Sequence, residues 1–486
     1  MENRGVLLYD VLMRGSQYGA DNIVLVYNNF KVSYTEFCDM VQKKSCILKQ
    51  HGICKNSKVA IIIENQFQFI LNFFSISKCG AIVVPIYNKT GKNKIENIID
   101  EYDINYIICD EKIEKLKYNS KEMECMTLYI CEENIDESLD DVRLILFTSG
   151  TTSTPKAIML TEKNIFSNIE SISSYLNINS NDKILLIKNL CHSSSIIGEL
   201  LVGIINGCTI VLSSKVPMTR NILWLIEENN ISVFFAVPTI LKGILDYSRK
   251  NKVNLEKLRI INFYGAPMNK EDISSLIKLL PSCNLIYSYG QTEASPRVTY
   301  IEKKDLINKP GSSGKAIKNV EFKIVDESGR SVLPFIKGEI TVSGFNVMKG
   351  YYKNIEKTKK TIKSGWLYTG DIGYVDDEGF LFVCGRKDNM IISAGKNIYP
   401  EEIENVLMLH ESVKEVLVFS EHVENESFVL SALIVVNEGM SVSISELFKL
   451  CSLFLENYKI PQNMKFVNQL DKTPSGKIKR CLHEQN

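Results

Sequence analysis

Among the 13 cysteines of this 486-residue chain there is no Cys-x-x-Cys pair, and the spacing of Cys38, Cys46 and Cys54 at eights is not a zinc-ligand spacing. A chain of this size builds its own core without a disulfide framework, so the cysteines read as free thiols in a reducing compartment. Charge of one sign is also missing. Lys plus Arg and Asp plus Glu balance at 57 each, which leaves no global field to draw the chain to nucleic acid or to an anionic membrane. Long hydrophobic runs are absent too, the longest apolar stretch, Phe69 to Tyr87, being broken by Lys78 and Gly80. Met1-Glu-Asn-Arg-Gly5 has no charged segment leading into an apolar one, so the expectation is a cytoplasmic protein without membrane insertion. No G-x-x-x-x-G-K-[ST] motif occurs, and Ser475-Gly-Lys477 lacks the preceding glycine, which excludes a Walker loop.

What is present is a strand, helix, strand rhythm. Residues 58–63 read as a buried strand, Gln66 to Lys78 as a helix with Phe69, Phe73 and Ile76 along one face, and Ala81 to Pro85 as the next strand. Similar strands recur at Ile184 to Ile187, Thr209 to Leu212, Val233 to Val237 and Ile260 to Tyr264. The fold class predicted is α/β: a large N-terminal body of several subdomains with two mainly parallel sheets. From Val320 to Val383 short alternating strands and turns such as Asp326-Glu-Ser-Gly329 predict a small β subdomain. Pro400-Glu-Glu-Ile-Glu404 opens a helix with proline at its first turn, inside an α+β C-terminal lobe of about one hundred residues. The division predicted is 1–386 and 387–486.

Leu146-Phe-Thr-Ser-Gly-Thr-Thr-Ser-Thr-Pro-Lys156 organises the chemistry. Its hydroxyls, glycine and lysine follow the apolar run Val142 to Phe147. Backbone N–H groups in a glycine-containing turn form an anion-binding concavity, hydroxyls add donors, and a lysine adds a charge that can follow a phosphate. A Ser/Thr-rich surface loop is the plain alternative, but apolar segments on both sides tie this loop to a scaffold.

These residues resemble the signature loop of the adenylate-forming superfamily, which includes acyl- and aryl-CoA synthetases, carrier-protein-loading adenylation domains and firefly luciferase. Ser153 and Ala157 stand where the family usually has glycine, while each phosphate-contacting side-chain type is kept. The resemblance spans roughly residues 25 to 480. It implies a phosphate site at Thr148, Ser149, Gly150, Thr151, Thr152 and Lys156, with Mg²⁺ at Thr148 and Glu293. Tyr289-Gly-Gln-Thr-Glu293 resembles the family's Y-G-x-T-E: Tyr289 offers a face to adenine, Gly290 allows close approach, and Thr292 meets the α-phosphate. Gly265, Ala266 and Pro267, after Tyr264, resemble the segment along adenine and the acyl pocket. Trp366-Leu-Tyr-Thr-Gly-Asp371 resembles the ribose motif, in which a carboxylate accepts two adjacent hydroxyls. Arg386 is expected at the ribose and Asp388 at a hinge. Gly395 is expected to line a thiol tunnel, and Lys477 to bridge the attacking carboxylate and the α-phosphate. The resemblance further implies that the C-terminal lobe is mobile, swinging to serve two half-reactions.

His192 stands fifteen residues before Gly207, the spacing that CoA synthetases of the family give the histidine near the acyl pocket. Amino-acid-loading relatives place an aspartate two positions after it; here Ser194 occupies that position, so a substrate ammonium would lack its counter-ion. Tyr264 is expected to add bulk to the acyl pocket. The function implied is ATP-dependent activation of a non-amino carboxylic acid, fatty or aromatic, to an acyl-adenylate, then transfer to a thiol. CoA and the phosphopantetheine of an acyl carrier protein present the same thiol, so both acceptors stay open. A non-catalytic binding protein is the alternative of another class; Lys156, Glu293, Asp371 and Lys477, where a loss would show, are all present.

Overall fold

The computed structural model describes residues 7–28, 30–113, 116–123, 126–131, 134–148, 155–213, 218–266, 268–393, 396–423, 426–472 and 478–480, without the side chains of 392, 393, 422, 423 and 426–428. By compactness the chain divides into two units, residues 1–322 with 342–367, and residues 323–341 with 368–486.

The larger unit carries two big sheets. Six strands of the nine-stranded sheet run parallel, in the spatial order Asn284–Tyr289, Ile260–Tyr264, Val233–Ala236, Lys183–Leu186, Thr209–Leu212 and Ile23–Tyr27. Antiparallel strands close its edges, Thr299–Glu302 and Lys315–Ala316 on one side and Phe30–Ser33 on the other. The eight-stranded sheet is parallel only in its middle, through Val142–Thr148, Ile82–Pro85, Lys58–Ile62 and Tyr106–Cys109. Lys156–Thr161 and Gly350–Tyr351 lie antiparallel beyond one end, and Met126–Ile130 and Asn119–Met123 beyond the other. The parallel strands Lys58–Ile62 and Ile82–Pro85 are buried at every position, as strands covered on both faces must be.

The helix Gln66–Lys78 has the predicted bounds and is more deeply placed than its pattern suggested. Phe67, Ile70, Leu71 and Phe74 are buried along with Phe69, Phe73 and Ile76, so it is a core helix enclosed all round. Asn65 caps its start by accepting from the Gln68 N–H, and Phe74 meets Phe37 of helix Tyr34–Gln50 edge-on at 6.1 Å. Ser33 and Glu36 form a capping box on Tyr34–Gln50, and Thr161 with Asn164 does the same for helix Glu162–Leu176.

A five-stranded sheet contains Val320–Val325, Gly338–Gly344, Trp366–Val375, Ile362–Lys363 and Leu381–Arg386. The chain crosses from one unit to the other within three of these strands. Farther on, helices Pro400–Leu407 and Ile444–Phe454 cover a sheet of Val413–Val423, Glu426–Val436 and Asn463–Phe466, with Ile403, Leu407, Val416, Ile434, Leu447 and Cys451 in its core. Pro400 occupies the first turn of its helix, where its missing N–H costs nothing. No helix among the described residues is long and apolar enough to cross a membrane.

Candidate active site

The phosphate-loop candidate begins at the end of one strand and returns as another. Val142–Thr148 and Lys156–Thr161 pair antiparallel, and their register sets Thr148 opposite Lys156. Ser149, Gly150, Thr151 and Thr152 lie outside the described residues. The Lys156 ammonium stands 5.9 Å from the centroid of the Tyr351 ring, whose strand pairs beside it through Ile158. From the same ring the Tyr351 hydroxyl donates to the Glu293 carboxylate at 3.0 Å, and the Met348 N–H donates to the Glu293 carbonyl at 2.9 Å. Two sequence motifs far apart in the chain therefore converge on Tyr351, a residue the sequence reading did not single out.

Tyr289 ends a strand of the large sheet, and Thr292–Ala294 forms a short 3₁₀ turn after it. Between them Gly290 is held where a Cβ would fall 1.9 Å from the Pro296 carbonyl oxygen, so no larger residue fits this turn. Tyr289, Thr292 and Glu293 are half-buried, with Gly290 exposed. The Ser193 hydroxyl donates to Thr292 Oγ1 at 3.2 Å. That bond ties the Tyr289–Glu293 motif to the turn that opens with His192, which is itself exposed. Ser194, next along, interacts with the Tyr264 hydroxyl. Gly265 follows with φ +95° and is exposed along with Ala266; Pro267 lies outside the described residues.

Beneath this turn lies a polar cluster that the sequence reading missed. Tyr264 donates a hydrogen bond to Glu199, Lys188 pairs with Glu199 at 3.3 Å, and the Lys188 and Arg297 cations stand 3.7 and 3.9 Å from the centroid of the Tyr264 ring. Burial, reinforced by the Glu199 charge, pushes the Tyr264 hydroxyl well above its usual range. Burial also holds Lys188 down to about 8, with Glu199 opposing and Arg297 adding to the fall. The expected bulk of Tyr264 is therefore part of a charged assembly. One signal was available: Glu199 interrupts an otherwise apolar stretch, Ile196 to Ile205.

In the smaller unit Asp371 and Arg386 face each other across strands Trp366–Val375 and Leu381–Arg386 and form an ion pair at 2.8 Å. The same Arg386 nitrogen donates to the Thr369 carbonyl at 3.1 Å, and Thr369 Oγ1 accepts from the Asp371 N–H at 3.0 Å. Gly370 turns the chain with φ +74°, and a Cβ there would come within 3.1 Å of the Arg386 guanidinium. Asp388 is exposed, 3.7 Å from Arg386. Gly395 and Lys477 lie outside the described residues. Strands Ile391–Ser393 and Lys396–Ile398 pair on either side of the first. Around the second, Lys472 and Ile478 form a bridge, and Arg480 makes a two-toothed pair with Glu404 at 2.8 and 2.6 Å.

The donor set of the larger unit suits a magnesium-bound triphosphate. The Glu293 carboxylate and the Thr148 hydroxyl are oxygen donors of the hard type such an ion takes, and the Lys156 ammonium is a cation of the type that meets phosphate.

Comparison with known proteins agrees. Residues 13–352 match the family model for AMP-binding enzymes, and residues 402–477 the model for their C-terminal domain. The chain is 31% identical to a 2-succinylbenzoate–CoA ligase of Listeria innocua over 94% of each chain. To a feruloyl-CoA synthase of an Amycolatopsis species it is 28% identical, over 98% of each. Among solved structures it resembles o-succinylbenzoate coenzyme A synthetase from Bacillus subtilis in complex with AMP, with a TM-score of 0.85 and 27% identity over 98% of each chain. That synthetase is also known with ATP and magnesium ion and with its acyl-adenylate intermediate. The chain belongs to the AMP-binding enzyme family and is an AMP-forming acid–thiol ligase that activates its acid as an acyl-adenylate.

Proposed function

We propose that this ligase takes an aryl carboxylic acid as its substrate and CoA as its acceptor. The observation that carries the reading is the Ser193–Thr292 hydrogen bond, which joins the motif assigned to the α-phosphate to the turn assigned to the acid. An acyl-adenylate has its mixed anhydride where those two sites meet. The relatives named above act on aryl acids by name, and Ser194 stands where amino-acid-loading adenylation domains place the aspartate that meets a substrate ammonium.

In the first half-reaction a carboxylate oxygen attacks the α-phosphorus, the bond to the β-phosphate breaks and pyrophosphate leaves. Catalysis rests on positioning and charge neutralisation, since the protein supplies no nucleophile. Thr148, Ser149, Gly150, Thr151, Thr152 and Lys156 hold the departing phosphates. Glu293, with Thr148, carries the magnesium that arrives with ATP, and Thr292 and Lys477 address the α-phosphate. Tyr289 with Gly265, Ala266 and Pro267 takes the adenine, and Asp371 and Arg386 take the ribose. In the second half-reaction a thiol sulfur attacks the acyl carbon, AMP leaves, and the thiol proton passes to solvent. His192 borders the acid, Gly395 lines the path of the thiol, and Asp388 is the pivot between parts 1–386 and 387–486. Free thiols and balanced charge support work in the cytosol.

The test is AMP formation from ATP, Mg²⁺ and a panel of aromatic and fatty acids, with and without CoA. Multiple turnovers with an aryl acid only when CoA is present are expected. A single turnover that stalls with CoA would transfer the acceptor role to a carrier protein, and turnover with fatty acids alone would overturn the aryl assignment.

A further inference from the structure

The cluster under the His192 turn has no task in handling phosphates, yet its charges do not cancel. Lys188 follows strand Lys183–Leu186, Glu199 sits in the π-helical turn Ile196–Leu201, Tyr264 ends its strand, and Arg297 precedes strand Thr299–Glu302. Single π turns are uncommon and concentrate at functional sites, because the extra residue re-aims a side chain. Here the turn directs Glu199 inward, where the residue has no solvent exposure.

Lys188 pairs with this one carboxylate, while Arg297 stands over the ring of the tyrosine that also binds it. Glu199 is engaged by Lys188 and by the Tyr264 hydroxyl, both through the same oxygen. Arg297 is 3% exposed, and its Nε and Nη2 have no hydrogen-bond acceptor among the described residues. Its neighbours are the face of the Tyr264 ring and the Tyr175 hydroxyl, which in turn meets Ser288 at 3.3 Å. A guanidinium buried without a carboxylate is costly, and removing it from water without hydrogen-bonding its edge is costlier still. Gly198 leaves that edge room, since a Cβ there would lie 3.3 Å from Nη2. Burial is the main cause of the lowered proton affinity of Lys188, with Arg297 adding to the fall and Glu199 opposing it. The cluster adjoins the proposed acid site, through Ser194 at the Tyr264 hydroxyl and through the exposed Gly265 that follows Tyr264.

We propose that the acid bears a second carboxylate, remote from the one that is adenylated, and that Arg297 and Lys188 receive it. The inference rests on the proposed function and adds the class of acid: a dicarboxylate, held by one end while the other reacts. Arg297 supplies the free planar edge suited to a carboxylate, Lys188 a second charge, and Glu199 with Tyr264 fixes Lys188 in place.

Matched pairs of acids test it on the whole enzyme: 2-succinylbenzoate against 4-oxo-4-phenylbutanoate, and 4-carboxycinnamate against cinnamate. In at least one pair the dicarboxylate should be preferred by about 100-fold or more in kcat/KM, because a site built around buried polar groups rejects the analogue that leaves them unpaired. Arg297→Gln should bring that ratio toward parity by raising KM for the dicarboxylate far more than it lowers kcat. Arg297→Lys should keep part of the preference. AMP formation from monocarboxylates at rates equal to or above their dicarboxylate partners, in every pair, would overturn the inference and leave the ligase reading intact. No AMP from any acid would instead sink the ligase reading. The wild-type comparison decides the question even if the Arg297 variants do not fold.

Discussion

The two units hold their candidate groups in different ways. In the larger one the groups stand at strand ends and in turns fixed by backbone: Gly290 against the Pro296 carbonyl, Thr148 opposite Lys156, and Glu293 bound through both its carbonyl and its carboxylate. In the smaller one they are held by ion pairs, Asp371 with Arg386 on facing strands and Arg480 with Glu404 just after the lysine motif. A turn closed by backbone contact tolerates no substitution but needs no charge; an ion pair tolerates shape changes and fails when one partner is neutralised. The difference predicts which variants lose structure and which lose only binding.

The largest contrast is expected within the smaller unit. Lys477→Ala should slow adenylation by on the order of 10²-fold or more, as loss of a transition-state donor does, while thioester formation from a preformed acyl-adenylate proceeds. Gly395→Leu should do the reverse. Rapid-quench measurement of each half-reaction checks both, and equal loss of the two steps in either variant would remove that residue from its role. Next comes Gly290→Ala, where one methyl group collides with backbone. It should lower stability by about 1–3 kcal/mol, seen as a reduced urea midpoint, and abolish most AMP formation. Asp371→Asn should leave the urea midpoint nearly unchanged and raise KM for ATP by roughly tenfold, the worth of a hydrogen bond to a charged group. If Asp371→Asn unfolds the protein while Gly290→Ala does not, the contrast between the two units is wrong.

Much of this was legible in the sequence, and for a physical reason. The helix Gln66–Lys78 and the strand Thr209–Leu212 have the predicted bounds because their apolar runs end at polar residues and glycine. The motifs at Thr148–Lys156, Tyr289–Glu293 and Trp366–Asp371 stand out in the sequence because each gathers several special residues in one short stretch. Tyr351, Lys188, Glu199 and Arg297 were not, since each is an ordinary residue whose meaning comes from a neighbour far along the chain. Even the mixed character of the eight-stranded sheet follows that rule, as the return of Gly350–Tyr351 to its edge cannot be read from the local pattern.

Tyr351 gives the smallest expected effect and the finest test of how the larger unit is tied together. Its hydroxyl holds Glu293, while its ring faces Lys156. Tyr351→Phe removes only the first contact, and an ordinary hydrogen bond is worth about 1 kcal/mol net, so kcat/KM should fall by roughly fivefold. Because Glu293 then loses an orienting donor, the loss should be recovered in part by raising the Mg²⁺ concentration. Tyr351→Leu removes the ring as well and should add a rise in KM for ATP that magnesium does not restore. If both variants respond to Mg²⁺ alike, Tyr351 acts on the carboxylate alone, and Lys156 is positioned by its strand register opposite Thr148.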